Sequence, residues 1–487
     1  MKYLYKRSRS RTLLAVFLSA CLLTAVPGRC LTNSEEHKMG EEFLKHARRA
    51  YHFVEDPFIV HYFNEIGRRL ASFFPEEPFD YHFYVIENPV YNAFAAPAGH
   101  VFVNSGLISA MDSEEELAGI LTHEIAHVYC RHIAEKIEKN KTISLATLAG
   151  MAAAVFLGSP ALAVGTAASG QAASLSYSRQ DERQADQLGV KYLCRAGYSA
   201  RGLLTMLEKI QSRNWFSVYD IPSYLSTHPG TEERIAYLDT LLATRNFEAC
   251  RQNHQPDNTA FALVRTKLTA LYDDTDSADK QFQAILEKDD QDAMAHYGYG
   301  LALSRKARHT EAVEHFQAAL DNHLEHPELY KALADARLAM GDYRPAWDIL
   351  EKMPATQWYD PEKELMRAKA ADGTGRTQKS MAILEALLDK RPDHAGALYA
   401  LGNIYGKQGD NAEAHYYLGL YHQNRRELET ARFHLGKALS LTDDADRKAE
   451  IETALEEVRE QEKDQPPPGE RNKKLTRRVI AEDVFRC

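Results

Sequence analysis

The chain has little cysteine, no basic excess, and no apolar run long enough to cross a bilayer. Six cysteines in 487 residues exclude a disulfide scaffold, in which bridges stand in for a core. The formal net charge is −10. Residues 1–30 carry six basic and no acidic residues, which leaves −16 on the remainder. That balance argues against a nucleic-acid partner, because phosphate binding needs a basic face. The apolar runs are Leu13 to Val26 and the two halves of a charge-free stretch from Thr142 to Ser178, broken at Gly158-Ser159-Pro160. Each is shorter than the roughly 20 residues that a spanning helix requires. With 44% hydrophobic and 26% charged residues, the chain is a folded protein of two or three domains.

The N-terminus reads as an export signal: a basic segment, Lys2 to Arg11, precedes the first apolar run. Two processing routes stay open. One is cleavage between Val26 and Leu31. The other is a lipid on Cys21, in the lipobox-like Leu18-Ser19-Ala20-Cys21. Export makes disulfides permissible among Cys130, Cys194, Cys250 and Cys487, without assigning them.

The centre of the sequence is His123-Glu124-Ile125-Ala126-His127. On a helix, residues four apart share a face with Cβ atoms about 5–6 Å apart, so two imidazoles can hold one zinc ion. Glu124 then stands where it can take a proton from a water that the metal activates. Ser113 and Glu116 have capping-box spacing, Glu114-Glu115-Glu116 suits a helix N-terminus, and Leu117, Ile120, Leu121, Ile125 and Val128 follow helical spacing. Apart from Gly119, no Gly or Pro interrupts the stretch to about Lys139, which predicts one long helix. Upstream, residues 35–75 read as helices. Tyr81–Ile86, Asn92–Ala95 and Gly99–Val103 read as strands, with Pro97 restricting the hairpin to an edge or a strand end. An edge beside a zinc helix can hold an extended peptide through main-chain hydrogen bonds. The charge-free 142–178 segment predicts two small-residue helices that pack near the site or lie against a membrane face.

Glu182-Arg183-Gln184-Ala185-Asp186 supplies a candidate third ligand, Glu182, 55 residues past His127. Asp186, one turn on, can accept the free N–H of a ligating imidazole. The rival zincin pattern is not met: Cys130 and Ile133 stand where it requires Gly and His. These motifs resemble the gluzincin family of the CAAX prenyl proteases and the heat-shock protease HtpX. Asn92–Ala95, Asn104–Leu107, Arg131-His132, Tyr192–Tyr198 and Thr227-His228-Pro229-Gly230 with Glu233-Arg234-Ile235 fit the same pattern. The resemblance covers roughly residues 35–245. It implies one zinc per chain at His123, His127 and Glu182, Glu124 as base, and Asp186 behind the ligands. It also implies that His228 caps the metal at rest and must move for activity. His228 could instead serve a developing oxyanion.

From about Asn258 a fixed period takes over. Ala278, Ala312, Ala346, Ser380 and Ala414 lie 34 apart, each followed four residues later by Phe282, Phe316, Leu350, Leu384 and Leu418. Gly341, Gly375 and Gly409 mark turns in the same register. This is the tetratricopeptide pattern of paired helices that stack because none buries its face alone.

The expected fold is mainly α with a small β-sheet: a zincin-type metallopeptidase domain followed by an α-solenoid of tetratricopeptide repeats. The expected boundaries are a signal peptide at 1–30, the peptidase at 31–257, the repeats at 258–458 and a flexible tail at 459–487. Through its family resemblance, this pairing implies a zinc-dependent endopeptidase of the periplasm that degrades misassembled outer-membrane proteins and assists their assembly. Its partners would be outer-membrane β-barrel proteins, their assembly machinery and unfolded polypeptide, with peripheral membrane contact. The competing class is a repeat scaffold or chaperone whose zinc site is structural or silent.

Overall fold

A computed structural model describes residues 32–139, 177–212, 223–244, 250, 258–356 and 358–463. The export signal, Cys21, almost all of the charge-free segment, the C-terminal tail past Lys463 and Cys487 lie outside these residues. The chain divides into two units, Met1–Leu268 and Thr269–Cys487.

The first unit opens with α1 (Asn33–Ala50), capped by reciprocal Thr32 and Glu35 bonds. It continues with α2 (Pro57–Ala71), whose first N–H groups bond Asp56. Strands β1 (His82–Ile86), β2 (Ala93–Ala96) and β3 (His100–Asn104) form a sheet in the order β1-β3-β2. β1 runs parallel to β3, and β2 antiparallel to it. The turn from β2 to β3 uses positive φ at Ala98 and Gly99. The expected edge strand is therefore present, and it is β2. Phe43 of α1 packs on Phe94 and Phe102, which stack on each other at 4.9 Å.

Beyond the sheet come α3 (Ser105–Ser109), α4 (Glu114–Tyr129), α5 (His132–Lys139), α6 (Arg179–Arg195), α7 (Arg201–Ser212), α8 (Ser223–Thr227) and α9 (Thr231–Leu242). Helix α4 carries the His-Glu-x-x-His motif and is buried along most of its length. It can lie so deep because glycines let backbones touch. A Cβ on Gly119 would come within 2.4 Å of Leu203 N, and one on Gly202 within 2.0 Å of Glu115 O.

Two local expectations fail. The Ser113–Glu116 capping box does not form: Ser113 makes no side-chain cap bond. Glu116 turns instead to the Asp112 N–H and to Lys209 Nζ, each at 2.7 Å, because a charged amine is the stronger partner for a buried carboxylate. The long helix also breaks. Arg131 adopts φ 55°, and its guanidinium pairs with Glu36 of α1. Cys194 at the end of α6 is bonded to Cys250, and Cys130 is free.

Helix α10 (Asn258–Tyr272) begins in the first unit. There Asn258 Oδ1 accepts from Glu114 N–H at 3.1 Å, and Lys267 Nζ lies 2.6 Å from Asp56. In the second unit, helices alternate from α11 (Thr275–Leu286) to α21 (Ala445–Lys463). The 34-residue pattern appears as packing. Ala278, Ala312, Ala346, Ser380 and Ala414 are all buried, as are Phe282, Phe316, Leu350 and Leu384. The turns at Gly341, Gly375 and Gly409 have φ 81°, 77° and 85°, and Ala307, one period earlier, takes φ 57°. Among the described residues no helix is long and apolar enough to cross a membrane.

Candidate metal centre

Helical spacing brings His123 and His127 together on α4, with their Nε2 atoms 3.0 Å apart. Helix α6 supplies the facing carboxylates. It starts at Ser178, whose hydroxyl and main-chain N–H exchange bonds with Asp181, so Glu182 falls in its first turn and Asp186 one turn later. Glu182 Oε2 lies 3.5 Å from His123 Nε2, and Oε1 3.5 Å from His127 Nε2. His228 follows the short helix α8 and sets Nδ1 3.1 Å from Glu182 Oε1. One donor atom from each of His123, His127, Glu182 and His228 falls within a 4.8 Å cluster, and all four residues are buried. Asp186 Oδ1 stands 3.0 Å from His123 Nδ1, behind the ring. Every sequence-derived site residue is thus brought together.

Glu124 is fully buried, and neither carboxylate oxygen makes a hydrogen bond with the described residues. His228 Nε2 lies 3.6 Å from Glu124 Oε1. Burial raises the pKa of Glu124, opposed by His228 and His123. Arg234 is a part of the site that sequence reasoning placed only within a pattern. Its Nε and Nη2 donate to Asp186 at 2.9 and 2.7 Å, and its Nη1 lies 2.6 Å from Glu182 Oε2. Despite burial, His228 and Arg234 hold Glu182 well below the carboxylate range, and, against burial, Arg234 with His123 lowers Asp186. Burial and Arg234 push His123 down, but its bonds to Asp186 and Glu182 win and raise it to about 9. Burial and His123 push His127 down.

Three carboxylates and one guanidinium, all buried, leave a charge of −2 when the imidazoles are neutral. Such a charge is costly in a dry interior unless compensated. A divalent cation would balance it, and two imidazoles, a carboxylate and a fourth position are the donor set of a catalytic zinc site. The residues fit the ion.

The edge of β2 completes the site. In an antiparallel pair, bonded positions alternate. Asn104 N–H bonds Asn92 O, so Tyr91, Ala93 and Ala95 turn their carbonyls outward. Each meets a group from the far side of the site. Tyr224 N–H donates to Tyr91 O at 3.2 Å. His228 Nε2 lies 3.2 Å from Ala93 O, and Tyr177 Oη donates to Ala95 O at 3.3 Å. Tyr177 also stacks on His127 at 3.7 Å, and Tyr224 on His228 at 4.2 Å. Sequence reasoning missed both tyrosines. The Ser178–Asp181 capping spacing marks where Tyr177 enters α6, and Tyr224 sits one helical turn before His228.

Peptidase family M48 matches residues 61–242, which hold the whole constellation. Over these residues the chain is similar to peptidase family M48. The tetratricopeptide repeat family matches residues 273–327 and 365–427. A beta-barrel assembly-enhancing protease of Escherichia coli (strain K12) is 33% identical over 215 residues, 43% of this chain and 44% of that protein. A putative beta-barrel assembly-enhancing protease of Vibrio cholerae is 29% identical over 316 residues, 60% of this chain and 64% of that protein. A mitochondrial metalloendopeptidase of Arabidopsis thaliana is 33% identical over 160 residues, covering 31% of this chain and 29% of that protein. The chain thus spans about half the length of the curated relatives it matches.

Proposed function

We propose that this chain is a zinc metalloendopeptidase of the cell envelope that degrades misassembled outer-membrane β-barrel proteins and assists their assembly in the periplasm. The observation that carries the peptidase reading is the unpartnered, buried Glu124 carboxylate beside the His123, His127, Glu182 and His228 cluster. The client class is carried over from the names of the relatives, and the repeat array is the surface proposed to hold clients and assembly machinery.

In this reading His123, His127 and Glu182 are the permanent metal ligands. Asp186, itself clamped by Arg234, orients His123. A zinc ion bound there would polarise the scissile carbonyl and lower the pKa of water toward about 7. Glu124 takes the proton of the attacking water and passes it to the leaving amine. The outward carbonyls of Ala93 and Ala95 bond the substrate main chain as an added strand, which reads extended conformation rather than sequence.

At rest His228 fills the fourth position. It and Tyr177 also take the two edge carbonyls, so metal and substrate slot are closed together. Gly230, at φ 81°, gives the loop a pivot. A cavity of about 370 Å³ beside Pro229 and Gly230 gives it room. A client that displaces the loop frees His228 to serve the oxyanion.

The test is Glu124→Gln, scored for zinc content and casein cleavage together. Retained zinc with cleavage lost is expected. Loss of metal, or retained cleavage, rejects Glu124 as base. A wild-type protein that binds zinc but cleaves nothing would favour the silent-site scaffold.

A further inference from the structure

The break between α4 and α5 has a chemical consequence at the second histidine of the motif. In an unbroken helix, residues five apart point about 140° away from each other, so His132 could not reach His127. Arg131 breaks the helix with φ 55°, a left-handed conformation that an arginine adopts only when its surroundings impose it. Its guanidinium pairs with Glu36 of α1. The turn folds His132 back under the motif, where it is 5% exposed. Its Nδ1 then lies 2.9 Å from His127 Nδ1, and its Nε2 lies 3.2 Å from Gln184 Oε1 on α6.

The two contacts admit one proton arrangement once His127 holds a metal. His127 Nε2 is the nitrogen that faces the cluster, 3.0 Å from His123 Nε2, so it must offer a lone pair. A neutral imidazole carries one N–H, which places the His127 proton on Nδ1. That proton can only be donated to His132 Nδ1. His132 then accepts at Nδ1 and carries its own proton on Nε2, and it donates that proton to the Gln184 carbonyl oxygen. Each group fixes the next.

We propose that His132 and Gln184 are positioning residues for the metal, locking His127 in its Nδ1–H tautomer through a neutral imidazole–amide chain. The inference rests on the zinc reading above. It makes the two histidine ligands unlike. His123 is backed by a carboxylate, Asp186 at 3.0 Å. His127 is backed by a chain with no net charge, which orients the ring without adding to the negative charge already buried in the site.

The full chain is compared with H132A, Q184L and Q184E. Zinc affinity is read by chelator competition, and histidine tautomers by long-range 1H–15N spectra of the zinc-loaded protein. Loss of the partner of a ligating histidine costs about 10–100-fold in metal affinity, and H132A should fall in that range. Gln184 is solvent-exposed, so Q184L should fold normally while still weakening zinc, by about tenfold or less. Q184E restores an acceptor and should bind zinc at least as tightly as wild type. The spectra should show Nδ1–H on His127 and Nε2–H on His132. Wild-type affinity in both H132A and Q184L, or a His132 proton on Nδ1, overturns the inference and leaves the zinc site standing. A wild-type protein that binds no zinc overturns both.

Discussion

The ring of Tyr177 stacks on His127 with centroids 3.7 Å apart, while its hydroxyl donates to Ala95 O on the outer edge of β2 at 3.3 Å. One side chain therefore touches both a motif histidine and the carbonyl that an incoming strand would need. A peptide that pairs with Ala95 must first release that hydroxyl. A single hydrogen bond is worth about 0.5–1.5 kcal/mol net, or a factor of roughly 2–12 in occupancy of the edge. Tyr177→Phe keeps the stack and removes the bond, so basal cleavage of an unstructured peptide should rise several-fold with zinc content unchanged. Unchanged basal cleavage would show that the bond does not guard the edge.

His228 closes the same edge from the other end, at Ala93 O, and contacts Glu182 through Nδ1. Neutral imidazole is a good zinc ligand and excludes water from the position it fills. His228→Ala should raise self-cleavage and general proteolysis. The gain will be partial if His228 also serves the oxyanion. A variant whose basal activity equals wild type, with zinc still bound, would reject His228 as the group that closes the resting site.

The features readable in the sequence are those with a period. His123 and His127, Glu182 and Asp186 are each four apart on helices, and Ala278, Ala312, Ala346, Ser380 and Ala414 recur at 34. Periodicity survives translation into structure because it is the geometry of the element itself. The features it hid arise from contacts between distant segments. Arg131, at the helix break, pairs with Glu36, and Glu116 bonds Lys209 rather than closing a capping box. Tyr177 and Tyr224 enter the site only because β2 turns three carbonyls toward them. Gly119, the one glycine in the motif helix, is a contact point with the Leu203 backbone.

A methyl group on Gly119 would meet the Leu203 backbone at 2.4 Å, and a backbone cannot swing aside. Overpacking of this kind costs about 1–3 kcal/mol. Gly119→Ala should lower the stability of the metal-free protein by that amount and weaken zinc binding, because α4 is forced off α7. Gly436, in the helix Leu428–Leu441, has nothing within 4 Å of its would-be Cβ. Gly436→Ala should instead add up to about 1 kcal/mol through helix propensity. Denaturant unfolding of both variants decides it, and equal effects would mean that the α4–α7 contact yields readily.

His100 on β3 is 3% exposed and lies with Nδ1 3.2 Å from the Tyr84 hydroxyl. Burial, aided by the nearby His82 and His37, lowers its pKa to about 4, against about 6.5 in an unfolded chain. Between these values the unfolded state binds a proton that the folded state refuses. Stability therefore rises with pH across that window. The contribution is complete above about pH 6.5 and is lost as the pH falls toward 4. At about 1.4 kcal/mol per unit, the full swing is roughly 3 kcal/mol. Denaturant unfolding at pH 7 and pH 5, with metal chelated throughout, should show a steeper loss for wild type than for His100→Asn. Titrating groups remote from His100 cancel in that difference, leaving His100 and its coupling to His82 and His37. Parallel losses in the two proteins would mean that His100 takes up its proton without disturbing the sheet.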